Sequence, residues 1–563
     1  MPRPQHFLPL VLGLLAWLPS VWVAGWALDD RELIFGNPVI DGSAPWWSAF
    51  GRDYFHHLGD AGQWRPLAAL SLRASHALWG DWAPGYHLEN LAYHLLVIAL
   101  ATEICRRSFR TRAWVFGLCV FAVHPALADV VAWVSGRTSS VSAAVGLAGV
   151  LLALHARTAR GVWMASAIAA GGALLAKEDG ILFAPLCVLL VTRGQTPRAW
   201  RAALLGASSA LLVVFAARAF ALGHLLPHAT HPALGDAGLA MRLEVGGQVW
   251  LESLRLACFP FGHPPQYRAD FLAAQASPLS PRGAALLGWT LAIAVPSVLW
   301  LARRRVGRTT AFSALFAALA LLPVVQLVPL GEIFAPRFLY LPLLFAAPAL
   351  GALCGALPRT PRVIVWALVP LVLIPLAWRR TTVYASRATW RAEMLQHQPD
   401  DAPSWNGLGL AREDDGDLEG ARAAYQRATQ LRPTYSRAWS NLARLLQGAG
   451  EDDEALRMFE RAAEVGPRNP VAHANLGGRL LARGDAARGD AARAERAYRR
   501  ATELAPGMVA AWRGLARALH AQGRTADARA ALTKGLALDP TDERSLALRA
   551  QWIEAADRST GVR

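Results

Sequence analysis

Lysine is almost missing from this chain: only Lys177 and Lys534 among its 57 basic residues carry an amine, and the rest are arginine. Cysteine is scarce as well. The five present (Cys105, Cys119, Cys187, Cys258 and Cys354) stand singly with no CxxC and none in the last third, which excludes a disulfide framework or a zinc pattern. No groove-reading motif or interleaved basic patch accompanies the formal charge of +16, so nucleic acid is not an expected partner. Charge itself is absent from Phe7 to Leu28, and then two adjacent carboxylates appear, Asp29 and Asp30.

What is present is apolar. The chain is 54% hydrophobic with a positive mean hydropathy, and its 563 residues leave room for two or three domains. Apolar residues concentrate before about residue 380. A bilayer-spanning helix needs about 20 of them in a row, and candidate spans fall at 7–28, 86–104, 113–128, 139–154, 161–176, 180–192, 202–222, 283–302, 310–330, 337–357 and 362–378, about eleven in all. The segment 243–262 carries Glu244, Glu252 and Arg255 and reads as an interfacial or re-entrant helix. The first span outlasts a signal-peptide core and ends in Trp26 rather than a small residue, so it is expected to be retained.

The basic excess lies in the first 400 residues, 32 against 19 acidic, whereas the remainder has 25 against 22. With the N-terminus in the cytoplasm, the arginine clusters at 106–112, 155–160, 192–201, 302–308 and 358–362 all fall inside, as the positive-inside bias expects. The exception is WRR at 378–380. The opposite face then holds Asp29, Asp30, the long segment 29–85, Asp129, Lys177 to Asp179, the His-rich 224–231, Glu332 and Arg337. An odd number of spans places the C-terminal region on that face too.

From residue 402 a 34-residue period takes over. Trp405, Leu408, Gly409, Ala421, Tyr425, Ala428 and Pro433 occupy the positions a tetratricopeptide repeat needs, and three further frames follow, the third after an insertion around 482–491. Residues 543–558 read as a capping helix. The division expected is 1–380 for the membrane domain, 381–401 for a linker, 402–542 for four repeats and 543–563 for cap and tail. The fold class is all-α, a multi-span membrane helix bundle followed by an α-solenoid whose concave surface suits a peptide or protein.

Polar motifs gather where the spans meet the extracytoplasmic face: Asp29-Asp30, WRPL (64–67), YHLEN (86–90), FAVHP (121–125), SGR (135–137), AKEDG (176–180) and APRFLYLP (335–342). A carboxylate beside low-dielectric surroundings has its pKa raised toward values suited to a general base. An arginine there can clamp a phosphate. A snorkelling anchor is served as well by arginine, so Lys177 points to a chosen side chain. Carboxylates and histidines permit a divalent metal, but no ligand spacing requires one.

The order of these motifs, DD after the first span, RPL, YHLxN, HP then GR, KE and a late PRFLYLP before repeats, resembles the transmembrane and tetratricopeptide-repeat O-mannosyltransferases. That resemblance implies a GT-C glycosyltransferase moving a sugar from a polyprenyl-phosphate carrier to a protein hydroxyl outside the cytoplasm, with inversion and no cofactor beyond the donor. It implies that one of Asp29 and Asp30 is the base. Arg337, Lys177, Arg137, Arg65 and His124 are implied at the donor site, and His87, Asn90, Glu178 and Tyr340 along the cavity. The arginine- and alanine-rich composition suggests a bacterial version with an undecaprenyl-type carrier, in an inner membrane and facing the periplasm. Rival readings are a non-enzymatic membrane scaffold and a polymerase or ligase acting on a glycan or lipid.

Overall fold

The protein is described by a computed structural model, which covers all residues except 1–3, 23–24, 57–61, 110, 193–195, 225–236, 269–278, 328–331, 484–487 and 561–563. The expected His-rich stretch therefore lies outside the described residues beyond His224. Among the described residues helices dominate, and strand pairing is limited to an isolated bridge between Tyr267 and Phe334. The chain divides into two compact units, Met1–His397 and Gln398–Arg563.

In the first unit eight helices are long and apolar enough to cross a membrane: Gln5–Trp22, Ala83–Ser108, Ser135–His155, Ala159–Ala176, Pro197–Leu222, Pro281–Leu301, Pro336–Ala356 and Arg359–Thr382. Trp114–Val123 and Pro125–Val131 pass the same test only together and are bent by 53° at His124, the geometry of a broken span or a re-entrant pair. Pro125 has no N–H to continue the helix, and the His124 ring accepts the Ala126 N–H that the break frees, at 3.3 Å. The other two expected spans are short helices, Phe183–Thr192 and Arg308–Leu319, of 10 and 12 residues. Each belongs to a longer apolar segment: Phe183–Thr192 continues directly from the 3-10 turn Glu178–Leu182, and Leu322–Val324 follows shortly after Arg308–Leu319.

Close backbone approach sets the bundle's geometry. A Cβ on Gly117 would lie 1.7 Å from the carbonyl oxygen of Ala347, and one on Gly351 would lie 2.1 Å from that of Ala113. The helices Trp114–Val123 and Tyr340–Ala356 thus touch backbone to backbone, as small residues permit where no water drives association. This crossing brings the chain around Arg337 against the Pro125–Val131 arm.

The segment 29–85 has its own small core. Leu33, Ile34, Val39, Ile40, Tyr54, Ala68 and Leu72 bury themselves together with Tyr86 and Val134. Arg73 ties the irregular part down through two 2.7 Å hydrogen bonds from Nη1 to the carbonyls of Val39 and Ala44.

Residues 381–401, expected as a linker, contain the helix Arg387–His397, whose Trp390 and Met394 enter the main core of the first unit. An apolar stripe on that helix explains the difference, since burying it outweighs leaving the segment extended.

The second unit holds four helix pairs, beginning at Ala402–Asp414 with Leu418–Leu431 and ending at Val509–Ala521 with Thr525–Leu538, and then Glu543–Thr560. Asp401 and Asp417 accept backbone N–H groups at the starts of the first two helices, at 2.8 and 2.9 Å. Trp405, Trp439 and Trp512 each donate their indole N–H to the carbonyl of the proline six residues before, at 2.9, 2.9 and 2.8 Å. That bond ties the proline that ends one repeat to the helix that opens the next. His473 makes the equivalent contact with Pro467 at 3.3 Å.

Candidate active site

The turn leaving the first span is strained. Leu28 holds φ at +48°, a left-handed conformation that a branched side chain rarely adopts. Beyond this turn Asp29 and Asp30 meet different surroundings. Asp30 is buried, and its carboxylate accepts the Ala27 N–H at 3.1 Å and the Ser135 N–H at 2.9 Å, as well as the Ser135 hydroxyl. Asp29 opens the short helix Asp30–Phe35, yet its side chain makes no capping hydrogen bond. Its Oδ1 is sealed from solvent and has no hydrogen-bond partner.

Burial raises both carboxyls, Asp29 to about 6 and Asp30 to about 7. At Asp29 the charge of Arg337 pulls the other way, while Glu332 and Glu32 push further up. At Asp30 the neighbouring Asp29 adds to burial, and the Ser135 hydrogen bonds oppose it.

Arg337 lies with Nη1 3.5 Å from Asp129 Oδ2 and with Nη2 against Glu332. Its guanidinium sits 5.1 Å from the Trp133 ring centre and 5.5 Å from that of Phe338. Lys177 lies 6.0 Å from the centre of the same Phe338 ring, so two cations neighbour one aromatic side chain. The amine donates to Ser139 Oγ at 2.7 Å and pairs with Asp179 at 3.1 Å. Arg65 donates to Glu178 Oε2 from Nη2 at 2.8 Å and from Nε at 3.1 Å. Burial alone would raise Glu178, but the Arg65 charge and hydrogen bond outweigh it and hold this carboxyl below its usual range.

Two further buried donors lack partners here, the Tyr54 hydroxyl and the Trp133 indole N–H. Burial pushes the Tyr54 phenol up, and the charges of Arg65, Asp29 and Asp30 all act on it. An unsatisfied buried polar atom costs about 1–3 kcal/mol, so Asp29 Oδ1, the Tyr54 hydroxyl and the Trp133 indole are each polar atoms that a polar ligand could satisfy.

Several residues expected at the site are committed elsewhere. Arg137, expected at the donor phosphate, is wholly buried. It donates to Asn90 Oδ1 at 2.8 Å, Ser75 Oγ at 2.5 Å, Glu89 at 3.0 Å and the Tyr86 carbonyl at 3.1 Å. His124 is buried between the Ala126 N–H and the Ala257 carbonyl, the latter at 3.2 Å. A guanidinium without exposed surface and an imidazole with both nitrogens engaged present nothing to a phosphate. Asn90 links Arg137 to the Trp133 carbonyl at 2.8 Å, and the Tyr340 hydroxyl meets His94 at 3.0 Å, so both act as framework. His87 is buried beside the backbone of Gly25 and Ala132 without a hydrogen bond of good geometry.

Arg380 was not anticipated. Its Nη1 donates to Glu393 at 2.9 Å and to the His263 carbonyl at 3.1 Å, while Nε and Nη2 are buried without partners, as is Nε2 of His263. The charge of Arg380 acts on Asp129, the carboxylate that also binds Arg337 and the Tyr384 hydroxyl. A signal for it existed in the sequence: WRR was the cluster that broke the positive-inside pattern, and its last arginine is turned into the protein.

The tetratricopeptide-repeat family matches at residues 375–436, 413–483 and 485–551. Among curated proteins the chain is similar to "Protein O-mannosyl-transferase Tmtc1" of Drosophila melanogaster, 32% identical over 173 residues, 30% of this chain and 20% of that protein. It is also similar to "Protein O-mannosyl-transferase TMTC2" of Homo sapiens, 31% identical over 183 residues, covering 30% and 22%. The matches thus span about a fifth of the length of these relatives. Solved structures that resemble it include "Crystal structure of MamA" at 19% identity and a TM-score of 0.25, covering 28% of this chain and 90% of that one. Another is "Crystal structure of YrrB: a TPR protein with an unusual peptide-binding site", at 17% identity and a TM-score of 0.25, covering 29% and 82%. The chain is a multi-pass membrane protein with a tetratricopeptide-repeat unit, related to proteins named as O-mannosyltransferases.

Proposed function

We propose that this protein is an inverting glycosyltransferase that moves a hexose, mannose on the relatives' names, from a polyprenyl-phosphate carrier to a Ser or Thr hydroxyl of an extracytoplasmic protein. The observation that carries this reading is Asp29 Oδ1, a buried carboxylate oxygen with no partner on a group raised to about 6. It accepts the proton of the acceptor hydroxyl as that oxygen bonds to the anomeric carbon. The bond from that carbon to the carrier's phosphate oxygen breaks, and the polyprenyl phosphate leaves with the electron pair. A single displacement needs one base, and Asp30, saturated by Ser135 and Ala27, positions it.

Arg337 and Lys177, gathered on Phe338, together with Arg380, supply the positive charge that receives the leaving phosphate. Tyr54 and Trp133 offer donors to sugar hydroxyls. With the shorter apolar segments 180–192 and 310–330 counted as crossings, the arrangement of basic clusters supports an extracytoplasmic site with the N-terminus in the cytoplasm, and the burial of Arg380 removes half of the exception to that pattern. The repeats fit recruitment of the protein acceptor.

The test is transfer by the purified full chain, with mannosyl-phosphoryl-polyprenol and a Ser/Thr-rich peptide, read by mass spectrometry. A hexose on the peptide hydroxyl is expected. Transfer from a nucleotide sugar instead, or to lipid or glycan only, would overturn the donor or the acceptor assignment respectively.

A further inference from the structure

The repeat unit contains a groove of about 420 Å³ lined chiefly by the opening helices of its second, third and fourth repeats, with Phe459 and Tyr498 from the closing helices of the second and third. Four arginines face it, Arg444, Arg479, Arg513 and Arg517, and no carboxylate belongs to its wall. The counter-ions of three of them stand outside it. Arg444 pairs with Glu413, Arg479 with Asp452 at 2.8 Å and Arg513 with Asp542 at 2.6 Å. Arg517 is exposed and has no ion-pair partner among the described residues. Arg479 is 5% exposed, and its Nε is buried without a hydrogen-bond partner. A cation sealed at that depth and incompletely satisfied is an invitation to an incoming acceptor.

The floor is apolar and open for a reason written in the sequence. Glycines at 478 and 514 leave space for Tyr498, whose ring would lie 2.1 Å from a Cβ at 514. Its ring joins Phe459 and Met508 beneath the arginines. Neighbouring helices in a solenoid lie about 9–10 Å apart, and an extended chain advances about 3.3 Å per residue. Charges on successive repeats therefore match side chains about three residues apart.

We infer that this groove binds an extended acidic peptide, with carboxylates about three residues apart and an apolar residue between them. Charge sets the choice of occupant: every charged group of the wall is a cation, beside the amides of Gln447 and Asn475, with an apolar pocket between, which suits a peptide side chain better than a uniformly charged polyanion. The inference concerns the repeat unit and holds whether or not the membrane unit transfers a sugar.

The experiment uses the full chain in detergent and a fluorescein-labelled decapeptide with two glutamates three residues apart flanking a leucine. Anisotropy is expected to report saturable binding that weakens at least about tenfold when the glutamates are replaced by glutamine, and that falls with added salt. Arg517→Gln, at an exposed and unpaired position, leaves helix content unchanged and weakens binding about three- to tenfold. Arg479→Gln weakens it more. Equal binding of the glutamine peptide, undiminished binding by Arg517→Gln, or displacement by an oligonucleotide or anionic vesicles at lower charge concentration than by unlabelled peptide would each overturn the inference.

Discussion

Asp29→Asn is expected to make the protein inactive and more stable at once. The native carboxyl is raised from 3.8 to about 6, and roughly 2 pK units correspond to about 3 kcal/mol spent in keeping it ionised, before its remaining solvent contact is discounted. The native state binds this proton more tightly than the unfolded state does. Stability therefore falls as pH rises from about 4 to about 6, and stays at the lower level above that. Activity runs the other way, since a base must be ionised, so kcat/KM rises with pH to a plateau above about 6 to 7. Asparagine removes both dependences. Transfer from the polyprenyl-phosphate sugar should fall about 10²- to 10⁴-fold, while the thermal midpoint at pH 8 rises and the difference from the parent shrinks toward pH 4. A variant that keeps more than a tenth of the parent rate, or melts lower at pH 8, would refute the base assignment. Asp30→Asn serves as the contrast: it disturbs the hydrogen bonds to Ser135 and Ala27, and whatever activity remains should keep the acid limb near 6.

Arg380→Met is expected to raise KM for the lipid-linked donor on the order of tenfold with a smaller change in kcat, and Arg380→Lys to recover part of it, read from initial rates against donor concentration. Gly117→Ala forces a Cβ to within 1.7 Å of a carbonyl oxygen, so a loss of about 1–3 kcal/mol in thermal stability is expected, with reduced transfer because the crossing seats Arg337. Trp439→Phe removes the bond to the Pro433 carbonyl and should lower the chemical stability of the repeats by about 1 kcal/mol, seen by circular dichroism.

The repeats were legible because their fold is a local matter: small residues, aromatics and prolines recur at one period, and each repeat packs on its neighbours. The membrane helices were legible one by one from apolar length. Two are shorter as α-helices than the apolar run that carries them: 180–192 opens on a 3-10 turn before Phe183, and 310–330 leaves the α-helix at Leu319. The Asp29-Asp30 pair could be found from its place after an uncharged run, but not the division of labour within it. That depends on Ser135, 105 residues away along the chain. Arg137 and Arg337 likewise look alike as sequence, and only packing makes one a sealed tie and leaves the other among Asp129, Glu332 and two aromatic rings.

The cradle around Lys177 has a practical side. Apart from the N-terminus, the chain offers amine-reactive dyes only two targets. Lys534 is exposed above the Trp512 ring, whereas Lys177 is bound by Ser139 and Asp179. An N-hydroxysuccinimide fluorophore should therefore mark the repeat unit quickly at one position and the membrane unit slowly at another. The slow phase becomes a clock for how often the ammonium is released from its two oxygen partners, without any residue having been changed.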